Sequence, residues 1–471
     1  MLRLSIMLVC LLALFPELAT ARFAGPPETW QKLATVRDLA DIRQSGELRV
    51  LINQSRNSSG AVKGQAIGSE YVRLHAFIDY LNREPRKGQA ITLKLIPKAK
   101  DQLLGALERG EGDMVAPGEL LDNGNASHIV ASRPVLVSVP MVLVTRKGSR
   151  TYRNPAQLSG HTLVLPPGSV AGAELAQLNR QLEQKKRSPV SIEWVDPSLA
   201  VEDVLDMVQA GIYPATVVEK HIAERWAMVM PKLQLEPDVH LGEPGDMHWF
   251  FLSDADKLQA SANSFLTSYR APADLDAAFG RVYRNLYKVH YPLDSTGRQR
   301  LEKVRPTLQR YANKHAMDWL GLAALAFKES TLNPEARGSS GGVGLMQVTP
   351  NTADSVGVKN ISRLDNNVQA SARYLDQIQH KFFASPRLNE RERMAFTLAA
   401  YNLGPQRVQA LRSEARRRGL NPDQWFFQVE RIAMERVGMG VVSYVNSVNK
   451  YFLAYARERY RLEFNQVSAK Y

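Results

Sequence analysis

Three short stretches in the last third of the chain hold residue types that can do chemistry. The first, Ala323-Ala324-Leu325-Ala326-Phe327-Lys328-Glu329-Ser330, is an apolar helical pattern ending in a carboxylate. A carboxyl group there faces the negative end of the helix dipole and apolar neighbours, and both disfavour ionisation. A glutamate so placed can keep its proton near neutral pH and serve as a general acid. The second stretch, Gly341-Gly342-Val343-Gly344-Leu345-Met346-Gln347-Val348-Thr349-Pro350, follows Asn333-Pro334 and places three glycines in four positions. Such a loop turns tightly and lets a ligand approach the backbone, and it lacks the Gly-Lys-Ser/Thr ending of a phosphate loop. The third, Ala399-Ala400-Tyr401-Asn402-Leu403-Gly404-Pro405, puts Tyr401 and Asn402 on the last turn of a helix that Gly404 caps. Each stretch alone also fits an ordinary role: a solvated helix-end glutamate, a Gly-rich turn with Leu345 and Met346 in the core, a capping asparagine.

The elements that must position these residues divide the chain in two. At 471 residues, with 44% hydrophobic and 23% charged residues, it is too long for one ordinary domain and has globular composition. From residue 45 to about 270, short β-rich runs alternate with amphipathic stretches, the rhythm of an α/β domain with a largely parallel sheet. Strands are predicted over 48–52, 91–96, 113–116, 139–145, 162–165, 192–195, 215–218 and 248–252. Helices are predicted over 69–81, 102–108, 171–182, 199–210 and 220–226. Residues 271–297 read as a polar connector around one short helical pattern, holding Ala271-Pro272, Pro292 and Asp294-Ser295-Thr296-Gly297. From residue 298 onward the pattern is helical, over 305–315, 319–328, 367–381, 391–401, 405–418 and 442–459.

Composition narrows the function classes. Met1 to Ala21 has Arg3, an apolar run from Leu4 to Phe15 and Ala19-Thr20-Ala21, which reads as a secretory signal peptide over 1–21, followed by an N-terminal segment over 22–44. The apolar run is shorter than the ~20 residues of a spanning helix. An exported chain makes nucleic acid a poor partner. Cys10 is the sole cysteine and lies in that leader, so the mature protein is expected to hold no disulfide, thiolate catalyst or lipid-modified cysteine. The nine histidines show no metal-ligand spacing, and neither metal nor cofactor is expected. Net charge is +13, and residues 301–471, with 25 basic and 15 acidic side chains, carry most of it. Such a surface suits a polyanionic partner. Arg416-Arg417-Arg418 belongs to this excess, while Lys185-Lys186-Arg187 and Trp425-Phe426-Phe427 read as a solvated helix end and core.

The first half resembles the periplasmic solute-binding proteins of the amino-acid-binding type. The likeness rests on Ser45-Gly46-Glu47-Leu48-Arg49-Val50-Leu51, Gly68-Ser69-Glu70-Tyr71, Leu103 to Asp113 and Ser132-Arg133-Pro134-Val135, in that order. It implies two α/β lobes joined by crossovers near 134–142 and 240–248, with ligand between them. Members that bind free amino acids usually carry an arginine where Asn125 stands, so a carboxylate-gripping site is not expected; Arg133 reads as an exposed charge.

The three motifs together resemble the catalytic domain of the soluble lytic transglycosylase family, whose fold is similar to goose-type lysozyme. The likeness covers residues 298 to about 460. It implies that Glu329 is the single catalytic acid/base of a peptidoglycan lytic transglycosylase. Glu329 would protonate the oxygen between N-acetylmuramic acid and N-acetylglucosamine, then take the proton of the C6 hydroxyl that closes a 1,6-anhydro ring. Hydrolytic glycosidases generally pair two carboxylates, and here the motifs supply one. Ser330, Met346, Gln347, Tyr401 and Asn402 match positions that line or organise the saccharide cleft, with Tyr401 the expected partner of the acetamido group or of Glu329. Two positions depart from the family: Gly338, nine after the glutamate, stands where serine is common, and Gly440 where an acidic residue often precedes Tyr444 by four.

The expected architecture is therefore a two-lobed α/β solute-binding-like domain over 45–270, a linker over 271–297 and an all-α lysozyme-like domain over 298–471. Peptidoglycan strands are the expected substrate, a muropeptide or stem peptide the ligand at the first domain, and the periplasm, with peripheral contact to the outer membrane, the location. A peptidoglycan-binding scaffold without activity and a lysozyme-like hydrolase are the alternatives.

Overall fold

The computed structural model describes residues 36–55, 60–83, 90–124, 126–287 and 289–464. The leader, Cys10 and Asn125 lie outside them.

The first lobe contains α1 (Leu39–Ser45), β1 (Glu47–Asn53), the ribbon β2 (Ala61–Val62) and β3 (Gln65–Ala66), α2 (Ser69–Leu81), β4 (Thr92–Lys98), α3 (Leu103–Glu108), β5 (Met114–Ala116) and β6 (Ile129–Ala131). The chain then crosses along β7 (Leu136–Val139) into the second lobe. That lobe holds β8 (Met141–Arg146), β9 (Thr162–Leu165), α4 (Ala171–Gln184), β10 (Ser191–Trp194), α5 (Val201–Ala210), β11 (Thr216–Glu219), α6 (Lys220–Ala227) and β12 (Leu233–His240). It returns along β13 (Gly245–Met247), and β14 (Phe250–Leu252) with α7 (Asp256–Ser268) completes the first lobe. Strands β7 and β13 pair antiparallel, inside the two crossover segments expected above.

The sheets are mixed rather than largely parallel. In the first lobe the order is β4-β1-β5-β14-β6, with β1 parallel to β4 and β5 but β14 antiparallel to both its neighbours. In the second, β8 runs antiparallel to β11 and β12, while β9 and β10 are parallel. In each lobe the strand that follows a crossing, β8 in the second and β14 in the first, runs against its neighbours, and periodicity along one strand carries no information on its neighbour's direction. The short strands β6, β7 and β13 and the bulged β12 have too few alternating positions to read from sequence.

The segment 271–297 is not a loose connector. Helix α8 (Leu275–Tyr283) turns Phe279 and Tyr283 inward, and their rings lie 4.8 and 5.1 Å from that of Trp226 in α6. These aromatics join the second lobe to the helical part in one continuous core cluster.

The helical part comprises α9 (Ser295–Lys314), α10 (Trp319–Ser330), α11 (Pro350–Ser355), α12 (Leu364–Phe382), α13 (Glu390–Leu403), α14 (Pro405–Arg417), α15 (Glu430–Arg436), α16 (Met439–Arg457) and α17 (Arg459–Phe464). Helix α9 starts ten residues before the predicted 305 because Asp294 caps it, accepting from Gly297 N–H at 2.6 Å, and Pro306 sits inside it. Helix α10 begins at the side chain of Asp318, which accepts from Leu320 N–H at 3.0 Å, and ends where Thr331 turns left-handed. Leu320 and Leu322 to Phe327 are buried, so α10 runs through the centre of this part and packs along α16.

Trp425, Phe426 and Phe427 are core, as read from sequence. The arginine run is partly spent on internal pairs: Glu414 accepts from Arg417, Arg418 and Arg436, which hold its carboxyl down at about 2.

Candidate active site

Glu329 is the penultimate residue of α10, half-buried at the edge of the core. Burial pushes its carboxyl pKa above the ordinary value, while the Tyr444 hydroxyl and the Lys328 ammonium pull the other way. Burial prevails, as expected for a carboxyl group at the end of an apolar helix. The Tyr444 hydroxyl, from the buried face of α16, donates to Glu329 Oε1. Such a bond fixes the carboxylate's orientation and favours its ionised form.

The Gly-rich loop is clamped beside this carboxylate from three sides. Ser330 Oγ donates to the Leu345 carbonyl at 2.7 Å, tying the end of α10 to the loop. Asn367, buried on α12, accepts from Met346 N–H at 2.8 Å and donates to the Val343 carbonyl at 2.7 Å. The Tyr401 hydroxyl, from the last turn of α13, donates to the Met346 carbonyl at 3.0 Å and lies 3.4 Å from Ser371 Oγ. Gly344 is required here: its φ is +75°, and a Cβ would stand 2.7 Å from Asn367 Nδ2.

The structure thus brings Glu329, Ser330, Met346, Gln347 and Tyr401 into one contiguous arrangement, with roles that differ in part from those expected. Tyr401 is not the hydroxyl on Glu329; Tyr444 is. Met346 is fully buried, so it organises the loop through its backbone and cannot line a cleft with its side chain. Gln347, at φ +48°, turns its amide inward, donating to the Gly344 carbonyl at 2.8 Å and that of Ala336 at 3.2 Å. Asn402 is exposed on the final turn of α13.

The two departures from the family pattern have distinct physical readings. At Gly338 a Cβ would meet Gln347 Oε1 at 2.4 Å, so the missing side chain is the space that Gln347 fills. At Gly440 nothing lies within 4 Å of such a Cβ, so the position is open and exposed.

Tyr444 and Asn367 are the site residues that the sequence reading did not assign. Tyr444 had a signal: it lies among Val441, Val442, Val445 and Val448 on the buried face of α16, and a buried tyrosine hydroxyl needs a partner. Asn367, at an otherwise apolar position of α12, carries the same kind of signal.

Residues 306–423 match the family model of the transglycosylase SLT domain. A relative from Desulfosudis oleivorans named membrane-bound lytic murein transglycosylase F is 25% identical over 400 residues, covering 83% of each chain. Relatives of the same name are 28% identical in Enterobacter sp., over 84% of this chain and 74% of that one, and 28% identical in Pseudomonas putida, over 82% and 77%. Among solved structures, an amino acid ABC transporter substrate-binding protein from Streptococcus pneumoniae bound to L-arginine aligns with 52% of this chain and 97% of its own, at 18% identity and a TM-score of 0.41. The chain is thus similar along most of its length to proteins named membrane-bound lytic murein transglycosylase F, and residues 306–423 of its helical part match the transglycosylase SLT domain.

Proposed function

We propose that the protein is a peptidoglycan lytic transglycosylase that cleaves the bond between N-acetylmuramic acid and N-acetylglucosamine without water. The observation that carries this reading is the setting of Glu329: a carboxyl group whose pKa burial raises, oriented by one phenol, and whose charged neighbour is a lysine rather than a second carboxylate. Glu329 as the acid protonates the glycosidic oxygen as the C1–O bond breaks, and the substrate's acetamido oxygen stabilises C1. Glu329, now a carboxylate, takes the proton of the C6 hydroxyl, whose oxygen bonds to C1. Proton balance closes on one residue, and the product is a 1,6-anhydromuramyl end. Ser330, Met346, Gln347 and Tyr401 hold the loop against the saccharide, and Asn402 offers its exposed amide to it.

Glu329→Gln is expected to abolish release of anhydromuropeptides from purified sacculi while circular dichroism stays unchanged. Undiminished release by the folded variant would remove Glu329 from the chemistry. Muramyl products one water heavier would identify a hydrolase, and sacculus pelleting without product a scaffold.

The site of action in this reading is the periplasm, with peripheral contact to the outer membrane. Among the described residues no helix is long and apolar enough to cross a membrane. The first domain is proposed to respond to peptidoglycan fragments. Calorimetric titration of muropeptides into the full chain tests this, and silence would leave the domain a positioning role.

A further inference from the structure

In open α/β sheets ligands gather outside the carboxyl ends of the strands. Between the two lobes of this chain, that place is filled by the protein's own side chains. Asn53 ends β1, Lys100 and Glu119 follow β4 and β5 in the first lobe, and Glu219 ends β11 in the second. Lys100 Nζ lies 3.1 Å from Glu119 Oε2 and 3.6 Å from Glu219 Oε1, so one ammonium bridges the lobes. Asn53 Nδ2 donates to Glu119 Oε1 at 2.8 Å, and Leu120 N–H donates to Glu219 Oε1 at 2.9 Å. Lys100, Glu119 and Glu219 are each at most 7% exposed.

Three further contacts cross the same gap. Ser55 Oγ donates to Glu202 Oε2, in the first turn of α5, at 3.3 Å. The Leu120 side chain is buried among Val139, Met141, Leu143 and Val217, the core of the second lobe. Gly168 of the second lobe comes so near the first that a Cβ there would stand 2.8 Å from the Asp101 amide nitrogen. The cavity left beside Lys100 and Glu119 measures about 130 Å³. That is below the ~300 Å³ of an ordinary small-molecule pocket.

We propose that Lys100 is a built-in ligand: its ammonium occupies the interlobe site and holds the first domain closed without any solute. A buried ammonium is tolerated only when paired, and here carboxylates from opposite lobes pair it. They keep Lys100 charged, its pKa raised despite burial. Withdrawing Lys100 leaves two buried carboxylates facing each other, so a guest replaces it only by bringing an ammonium or guanidinium group of its own. This closure belongs to the first domain alone and is independent of the transglycosylase chemistry.

The test is an interlobe distance measured by spin-label pairs in the full chain. Cys10 is the only native cysteine, so labels at Glu108→Cys and Gln184→Cys, with Cys10→Ala, report one lobe against the other. With Lys100 intact, the distance is expected to stay fixed when lysine, arginine or glutamine is added at millimolar concentration. Lys100→Ala is expected to lengthen and broaden it, and ethylammonium to restore it. If the chain with Lys100 intact shortens its distance on adding an amino acid, or if Lys100→Ala leaves the distance unchanged, the proposal fails. Should Lys100→Ala not fold, Glu219→Gln decides by the same measurement: a lengthened distance supports the bridge and an unchanged one overturns it.

Discussion

The chemistry of the candidate site turns on one carboxyl group and the hydroxyl that touches it. Tyr444 stabilises the charged form of Glu329, so its loss must raise the glutamate's pKa further above the ordinary value. Tyr444→Phe is therefore expected to move the basic limb of the pH–rate profile to higher pH. It should also lower turnover roughly tenfold, the effect of one charge-assisted hydrogen bond. A variant with reduced turnover and an unmoved basic limb would assign Tyr444 to packing alone. The linkage to stability has the opposite sign from a salt-bridged carboxylate. A glutamate whose folded pKa is raised costs stability once pH rises past its unfolded value, so Glu329→Gln should not melt lower than the parent at neutral pH. Tyr401, by contrast, acts on the loop through the Met346 carbonyl, a role its place in the sequence motif could not disclose.

At the scale of elements, helix α13 brings Tyr401 to the loop and fixes a kinked segment with its other end. Glu392, at the third position after the capping Asn389, accepts from Trp425 N–H at 2.6 Å, and Glu430 accepts from Phe427 N–H at 2.9 Å. Phe427 sits at φ 62° within this segment, and both carboxylates satisfy amides that no regular helix serves. Burial, helped by Glu430, pushes Glu392 up to about 7, against the pull of the Trp425 and Phe426 amides and Arg391. Its contribution to stability is thus full below about pH 4.3, the unfolded value, and is lost as pH rises to about 7. Glu392→Gln keeps an oxygen for the Trp425 amide and removes the charge. Urea unfolding should show it unchanged near pH 4 and more stable by roughly 1–3 kcal/mol at pH 8. Equal effects at both pH values would mean that Glu392 does not titrate in this window.

At the scale of the whole molecule, the two parts are joined by core and charge together. Lys450 on α16, six residues after Tyr444, lies 2.8 Å from Asp206 Oδ2 and 3.1 Å from Asp203 Oδ1 on α5, all buried. Asn449 Nδ2 donates to Ser198 Oγ at 2.8 Å beside them. The helix that holds the hydroxyl on Glu329 is therefore anchored in the second lobe. Lys450→Met is expected to cost about 3–5 kcal/mol in calorimetric unfolding of the full chain, because it leaves two carboxylates buried without their cation. Adding Asp203→Asn and Asp206→Asn should recover most of that loss. A small cost for Lys450→Met alone would show that the interface opens readily to water.

The two-part plan, the helix ending at Glu329, the Gly-rich loop and the Tyr401 turn are legible in the amino-acid order, because each is written in contiguous residues whose period and turn chemistry act locally. That order also supplied Glu329, the single carboxylate on which the proposed chemistry rests. Which hydroxyl meets Glu329 emerges on folding, since Tyr444 stands 115 residues away and α10 and α16 must pack before the pair exists. The same holds for Gln347 over Gly338, for the aromatic core of α8 and for Lys100 between the lobes. Each depends on side chains remote in sequence, and burial rather than local propensity sets their partners and their charge.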